Sequence, residues 1–324
     1  MGKLADMWKK ATGEVETVSA GPTVPPLADE RPDRTPAVSR GTVAVGATND
    51  DKRRRLESYG ISHVGKVREG NEDHFVVASL QRSLEVRQTN LEDSALLDPL
   101  CGPKAYLFAV ADGVGGQAGG RLASGITLQT IVQYLSETVG SYHAVPMGQE
   151  HAFLDPLRAA VQRAHDRVLS TFGHSQGGPA TTLTIVLVVW PRAFIVHVGD
   201  SRAYQFRDGK LERLTRDQTM GAYLVAERAM SEQQVEQGGY NNVLASAVGA
   251  RDMTPAVSDV ELKQGDVLVL CTDGLTKHVT EEQIAEVLSR AEDAESACRE
   301  LIDRALAGGG KDNVTVVVAN TLTA

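Results

Sequence analysis

The sequence predicts an α+β domain in which helices are segregated from antiparallel strands. Short β-like runs follow one another in groups joined by tight turns, the pattern of an antiparallel sheet. Helical patterns come in two pairs rather than alternating singly with strands, which argues against a doubly wound parallel sheet. At 324 residues, with 42% hydrophobic and 23% charged side chains, the chain can bury one large core or two smaller ones and is not disordered throughout.

Taken in order, residues 1–56 are rich in Pro, Thr, Ala and charge, with little apolar periodicity, and are expected to form a flexible tail. Leu4, Met7, Trp8 and Ala11 would share one face of any short helix there, and Arg53-Arg54-Arg55 reads as part of a solvated linker. The folded domain is expected over 57–322. Strands are expected at 59–67, 74–79 and 104–111, the last nearly all apolar and therefore central. Two helices follow over about 119–138 and 151–171; the second carries Phe153, Leu157, Val161, His165 and Val168 at helical spacing. Strands return at 182–190, 193–198, 202–207 and 210–214, with Asp208-Gly209 as a hairpin turn. Residues 216–245 are irregular and polar and read as an inserted flap, apart from a short helix begun by Ser231-x-x-Gln234. Two more strands, 257–262 and 266–272, precede helices at about 280–290, capped by Thr280-x-x-Gln283, and 294–307. A last strand covers 314–319.

Charge and cysteine usage exclude several functions. Beyond the first 57 residues, Asp and Glu number 33 against 23 Lys and Arg, a net charge of −10. Nucleic acid is therefore not an expected ligand, because its binders usually present a basic face. A phosphate substrate would need bound cations to reverse the local sign. Cys101, Cys271 and Cys298 are far apart and odd in number, so neither a disulfide framework nor a zinc knuckle follows. No apolar run reaches about 18 residues, and the N-terminus has neither a signal-peptide core nor a full myristoylation pattern, since Asp6 stands where Ser or Thr is wanted. The expectation is a soluble, cytoplasmic protein that is not integral to a membrane.

Four acidic segments occupy strand ends or turns: Glu72-Asp73, Asp112-Gly113, Asp273-Gly274 and Asp312-Asn313. A carboxylate that ends an apolar strand such as 106–110 or 267–271 is awkward beside a core unless a cation pairs with it. Hard divalent ions take oxygen ligands, and a glycine after the acid would let a backbone carbonyl approach such an ion. Asp-Gly is also an ordinary turn, so one such pair proves little.

Six stretches in order carry a family resemblance: Gly65-x-Val67-Arg68-x-x-Asn71-Glu72-Asp73, Val110-Ala-Asp112-Gly113-Val-Gly-Gly116, Ala180-Thr-Thr-Leu183, Val198-Gly-Asp200-Ser-Arg202, Thr272-Asp273-Gly274-Leu275 and Asp312-Asn313. Over about 57–321 the chain resembles the PPM/PP2C phosphatases, particularly bacterial members that oppose serine/threonine kinases. The resemblance implies a sandwich of two antiparallel sheets flanked by helix pairs. It implies Mn²⁺ or Mg²⁺ as cofactor, two core ions and a weaker third, and hydrolysis of phosphoserine and phosphothreonine by water without a phosphoenzyme. By residue, it implies that Asp112 bridges both ions, with Glu72 and the Gly113 carbonyl on one and Asp273 and Asp312 on the other. Asp73 would hold a water of the centre, Arg68 would grip the phosphate with its planar fork, and Asp200 would complete the third site with Asp273. Expected partners are phosphoproteins and a serine/threonine kinase, with the chain itself a monomer.

One departure concerns position 114, where many eukaryotic members carry a histidine thought to protonate the leaving group and this chain has Val114. His74 is expected to point away from Asp73 as an exposed strand residue. Gln218 stands where bacterial relatives often have His. Three rival readings are weaker. The G-x-G-x-x-A run at 113–118 lacks the second strand that a dinucleotide site needs, since 130–135 continues in helical pattern. Gly199-Asp-Ser201 sits in a hairpin and not in a strand-to-helix elbow. A catalytically inert binding relative would be expected to have lost metal carboxylates, and here all are present.

Overall fold

The computed structural model describes residues 56–81, 103–138, 154–173 and 178–321. The expected tail and its helical face, the Arg53–Arg55 run and Cys101 lie outside the described residues. The first strand, β1, begins at Leu56 and ends at His63. Then come β2 (His74–Gln81), β3 (Pro103–Ala111), the two-residue β4 (Gly113–Val114), and helices α1 (Gln117–Thr138) and α2 (Leu154–Phe172). The second strand group is β5 (Ala180–Thr181), β6 (Leu183–Val189), β7 (Arg192–Val198), β8 (Arg202–Arg207) and β9 (Lys210–Arg213). Two short helices, α3 (Met220–Ala226) and α4 (Glu232–Gln237), occupy the insertion; β10 (Ala256–Glu261), β11 (Val267–Cys271), α5 (Asp273–Thr276), α6 (Glu281–Arg290), α7 (Ala294–Ala307) and β12 (Val314–Thr321) complete the order.

The strands form two five-stranded sheets, β1-β12-β11-β8-β9 and β10-β7-β6-β3-β2, and β4 pairs with β5. Every pairing among them is antiparallel. Side-chain alternation explains why the central strands read as continuous apolar runs. In β12, Val317 and Ala319 enter the core between the sheets, with Phe108, Val186 and Leu270, while Val316 and Val318 face α6 and α7 beside Ile284 and Leu301. In β3, Phe108 and Val110 face the other sheet, and Leu107 and Ala109 pack against Ile131, Leu157 and Val161 of α1 and α2. A strand buried on both faces has no polar face to show. The layers are thus helix pair, sheet, sheet, helix pair, as the resemblance implied, and a parallel dinucleotide fold is excluded.

Both anticipated capping boxes are present, Ser231 with Gln234 and Thr280 with Gln283. Asp208 (φ 52°) and Gly209 (φ 77°) form the β8–β9 hairpin turn. The flap contains more helix than expected: α3 is capped by the Thr219 side chain, which accepts from the Ala222 N–H.

Candidate metal centre

At one end of the sandwich the strand ends surround a cavity of about 950 Å³. The β1–β2 loop brings Arg68 and Glu72, the end of β3 brings Asp112 and Gly113, the β7–β8 turn brings Asp200, and the starts of α5 and β12 bring Asp273 and Asp312; all line this cavity. Asp73 lies beneath it and is 5% exposed. Every acidic residue singled out from the sequence therefore meets the others at one end of the fold.

The local sequence explains how each carboxylate is held. Asp112 is clamped through its backbone: its carbonyl accepts from the Thr181 hydroxyl (2.8 Å) and the Thr182 N–H (2.8 Å), while its own N–H donates to the Thr182 hydroxyl (3.0 Å). The Ala180-Thr-Thr-Leu183 stretch is that clamp. The Thr182 hydroxyl also meets Ser201 Oγ at 2.7 Å, which ties the Asp200 turn to the same strand. Asn313 stitches the Arg68 loop: Oδ1 accepts from the Glu72 N–H (2.8 Å), and Nδ2 donates to the carbonyls of Val64 and Gly70 (2.9 Å each). Asp73 Oδ2 accepts from the hydroxyls of Thr272 (2.9 Å) and Thr315 (2.7 Å), so one carboxylate joins β11, β12 and the β1–β2 loop.

The glycines after Asp112 and Asp273 are required by packing. A Cβ on Gly113 would lie 2.2 Å from the Gly120 carbonyl oxygen of α1, and one on Gly274 would lie 1.9 Å from the Asn313 carbonyl oxygen. No side chain fits at either place.

Burial and mutual repulsion raise most of these carboxyl groups. Asp73 rises to about 7 through burial and the charges of Asp273 and Asp312, against the pull of its threonine hydroxyls. Burial, then Asp273 and Asp217, takes Asp200 to about 7, and burial raises Glu72. Asp112 is raised well above its ordinary value by burial and then by the charges of Asp73, Asp273, Asp200 and Asp312. Asp312 goes the other way: burial raises it, but the hydrogen bond from Arg68 and the charge of Lys277 outweigh that. Arg68 Nε lies 2.8 Å and Nη2 3.1 Å from Asp312, and Lys277 Nζ lies 2.5 Å from Asp273 and 3.2 Å from Asp312.

Among the described residues no group of three or more acidic, His or Cys side chains is drawn to a common point in metal-ligand geometry. The donor set nevertheless fits hard divalent ions. It consists of oxygens alone, and Asp73 Oδ1 and Asp273 Oδ1 are buried without a hydrogen-bond partner among the described residues. An orphaned carboxylate oxygen in a buried site calls for a cation.

Several residues differ from expectation or escaped it. His74 is half-buried, not exposed, with Nδ1 2.9 Å from Ser124 Oγ of α1, and burial lowers its pKa. Gln218 does not face the cavity: its Oε1 accepts from the Gly199 N–H and its Nε2 donates to the Thr254 carbonyl, which fixes the root of the flap. Arg202 fixes the same root through Asp217 (Nη2 to Oδ2 2.7 Å). Val114 is exposed at the cavity wall and brings no proton donor. Lys277, Thr272 and Thr315 were not anticipated; for Lys277 the available signal was its position four residues after Asp273.

A family model described as protein phosphatase 2C matches residues 81–307. The serine/threonine protein phosphatase PstP of Mycobacterium tuberculosis is 36% identical over 220 residues, 67% of this chain and 41% of that one, so the match spans less than half of the relative's length. The crystal structure of the Mycobacterium tuberculosis phosphatase PstP/Ppp superposes with a TM-score of 0.64 at 29% identity, covering 83% of this chain and 99% of that one. A structure of the PstP catalytic domain described as in complex with two manganese ions gives 0.62 at 29% identity, again over 83% and 99%. With a family model matched across most of the described fold, and the same sandwich in proteins of that kind, the chain belongs to the protein phosphatase 2C family.

Proposed function

We propose that the chain is a protein serine/threonine phosphatase that depends on Mn²⁺ or Mg²⁺ and hydrolyses phosphoserine and phosphothreonine by direct attack of water. The observation that carries this reading is the convergence of Glu72, Asp112, Asp200, Asp273 and Asp312, with Arg68, on one open cavity, with Asp73 buried behind them against Thr272 and Thr315. Bound divalent ions would supply an activated water in line with phosphorus and would offset the charge of the phosphoryl oxygens.

The chain's own residues then have separable roles. Asp112, clamped by Thr181 and Thr182, would be shared between two ions. Glu72 and the Gly113 carbonyl would serve one ion, Asp273 and Asp312 the other. Asp73, with Oδ2 committed to two threonines, has Oδ1 left to orient the attacking water by a hydrogen bond. Arg68 is 56% exposed, so swinging its fork from Asp312 to a phosphoryl group sacrifices a surface ion pair of about 1 kcal/mol or less. Its planar guanidinium suits bidentate contact with two phosphoryl oxygens. Residues 216–245, hung from Gln218 and Arg202, would shape the path of the peptide. A serine/threonine kinase acting on the same substrates is the expected counterpart, and a cytoplasmic setting is in keeping with there being no helix among the described residues long and apolar enough to cross a membrane.

The test is release of phosphate from a phosphothreonine peptide with and without Mn²⁺. The expected result is metal-dependent release that is lost in Asp112→Asn and Asp273→Asn proteins that still fold. Undiminished release in excess EDTA would sink the reading.

A further inference from the structure

The start of helix α1 touches two segments of the acidic centre at once. A Cβ on Gly120 would lie 2.7 Å from Glu72 Oε2 and 2.8 Å from the Gly113 carbonyl oxygen, so both oxygens crowd one point on the helix. The contact is reciprocal: a Cβ on Gly113 would meet the Gly120 carbonyl oxygen at 2.2 Å and the Glu72 carbonyl oxygen at 2.9 Å. Only hydrogen at both positions lets these backbones approach so closely.

One turn further along, Ser124 is fully buried and its hydroxyl donates to the Glu72 carbonyl at 2.6 Å. The carbonyls of Gly120 and Arg121 lie farther from that hydroxyl, at 3.1 and 3.2 Å. With its one proton committed to Glu72, Ser124 Oγ accepts from His74 Nδ1 at 2.9 Å, which holds the hydroxyl in line. Asn313 grips the same residue from the other side through the Glu72 N–H. Asp273 and Asp312 have a different support, since Lys277 contacts both and Arg68 contacts Asp312.

We propose that Gly120 and Ser124 are positioning residues for one ion of the centre, the one served by Glu72 and the Gly113 carbonyl, and that α1 supports this ion while other elements support the Asp273–Asp312 ion. The inference rests on the phosphatase reading for the two inner ions and their ligands. A methyl group at position 120 would push the Glu72 carboxylate and the Gly113 carbonyl out of place. Loss of the hydroxyl at position 124 would free the Glu72 peptide to turn. Groups that orient metal ligands in this way are commonly worth about 10–100-fold in affinity.

The experiment titrates metal-stripped full-length protein with Mn²⁺ and follows the spin-resonance signal of free Mn²⁺. Wild type is expected to hold two ions tightly. Gly120→Ala is expected to keep one of them at wild-type affinity and to weaken the other at least about tenfold. Ser124→Ala should weaken the same ion by about threefold to tenfold. Combined variants identify that ion: adding Gly120→Ala to Glu72→Gln should leave the remaining ion unchanged, whereas adding it to Asp312→Asn should weaken both. Circular dichroism checks the fold, and if Gly120→Ala does not fold, Ser124→Ala, which only removes an atom, decides alone. A folded variant that holds both ions as wild type does overturns the proposal, and so does one that weakens both equally, as a general loosening of the scaffold would. Phosphate release from a phosphothreonine peptide, measured on the same samples, separates the two ideas. The expected ion pattern with no release by wild type would sink the phosphatase reading alone, whereas metal-dependent release with unchanged binding in both variants would sink the α1 inference alone.

Discussion

Replacing Asp73 by asparagine isolates the cost of holding a carboxyl group beneath the site. In the native chain this group is 5% exposed and its pKa stands at about 7, against an ordinary value of 3.8. A carboxyl group whose pKa rises on folding favours the native state most where both states are protonated, below about pH 4, and loses that advantage as pH climbs to about 7. At about 1.4 kcal/mol per pKa unit, the loss across that window is on the order of 3–4 kcal/mol for Asp73 alone. Asp112 and Asp200 are raised too and act in the same sense as Asp73, whereas burial holds His197 down at about 4, so its contribution runs the other way, gained as pH rises and lost as pH falls. The difference between wild type and Asp73→Asn removes the His197 background and retains, besides Asp73 itself, the part of the Asp112 shift that Asp73 causes. The assay is urea denaturation of metal-stripped protein at several pH values between about 4.5 and 8. Relative to Asp73→Asn, wild type is expected to weaken steadily up to about pH 7 and then level off. Saturating Mn²⁺ should remove most of the difference in slope, because cations bound beside Asp73 would favour its ionised form and bring its native pKa back towards the ordinary value. A stability difference that stays flat, or grows in favour of wild type as pH rises, would refute the reasoning.

Two further substitutions test the scaffold. Gly274→Ala would bring a Cβ to 1.9 Å from the Asn313 carbonyl oxygen, and since both partners are backbone, a loss of about 3 kcal/mol or more is expected by urea denaturation, with a near-neutral result counting against the packing role. Asn313→Ala strands the Glu72 N–H and the carbonyls of Val64 and Gly70; a loss of about 2–4 kcal/mol is expected, with weaker Mn²⁺ binding by calorimetry, although Asn313 is not proposed as a ligand.

Much of the fold was legible because its signals are local. The runs at 106–110 and 267–271 are apolar since both faces of β3 and β11 are covered, and the Ser231 and Thr280 boxes announce α4 and α6 within four residues. The carboxylates were legible for a similar reason, as each ends such a strand or sits in a turn beside one. Long-range contacts hid the rest. Helix α3 has a glycine at its second position and no partner for a capping box, so its stability comes from packing, with Gly221 lying against Asn241 and Val235. Helix α5 is a single turn pressed against Asn313. His74 looked exposed because nothing in its own strand says that Ser124 of α1 lies over it. The packing demand on the glycines of the two Asp-Gly pairs was not legible, since the groups that crowd them lie 7 and 39 residues away.

The site draws on both sheets, and this determines what keeps it in register. Asp112 and Asp200 leave β3 and β7, in one sheet, while Asp273 and Asp312 adjoin β11 and β12, in the other. Glu72 and Asp73 sit on the β1–β2 loop that passes between the sheets. A small slide of one sheet over the other would therefore separate Asp112 from Asp273 while leaving each strand intact. Two features oppose such a slide. Between the sheets, Phe108, Val186, Leu270 and Val317 interlock in a close-packed core. Directly beneath the cavity, Asp73 pins the β1–β2 loop to Thr272 and Thr315 of the other sheet. The raised pKa of Asp73 then accompanies a cross-sheet pin placed where bound cations would stabilise its charge, so metal binding would be coupled to the alignment of the two sheets.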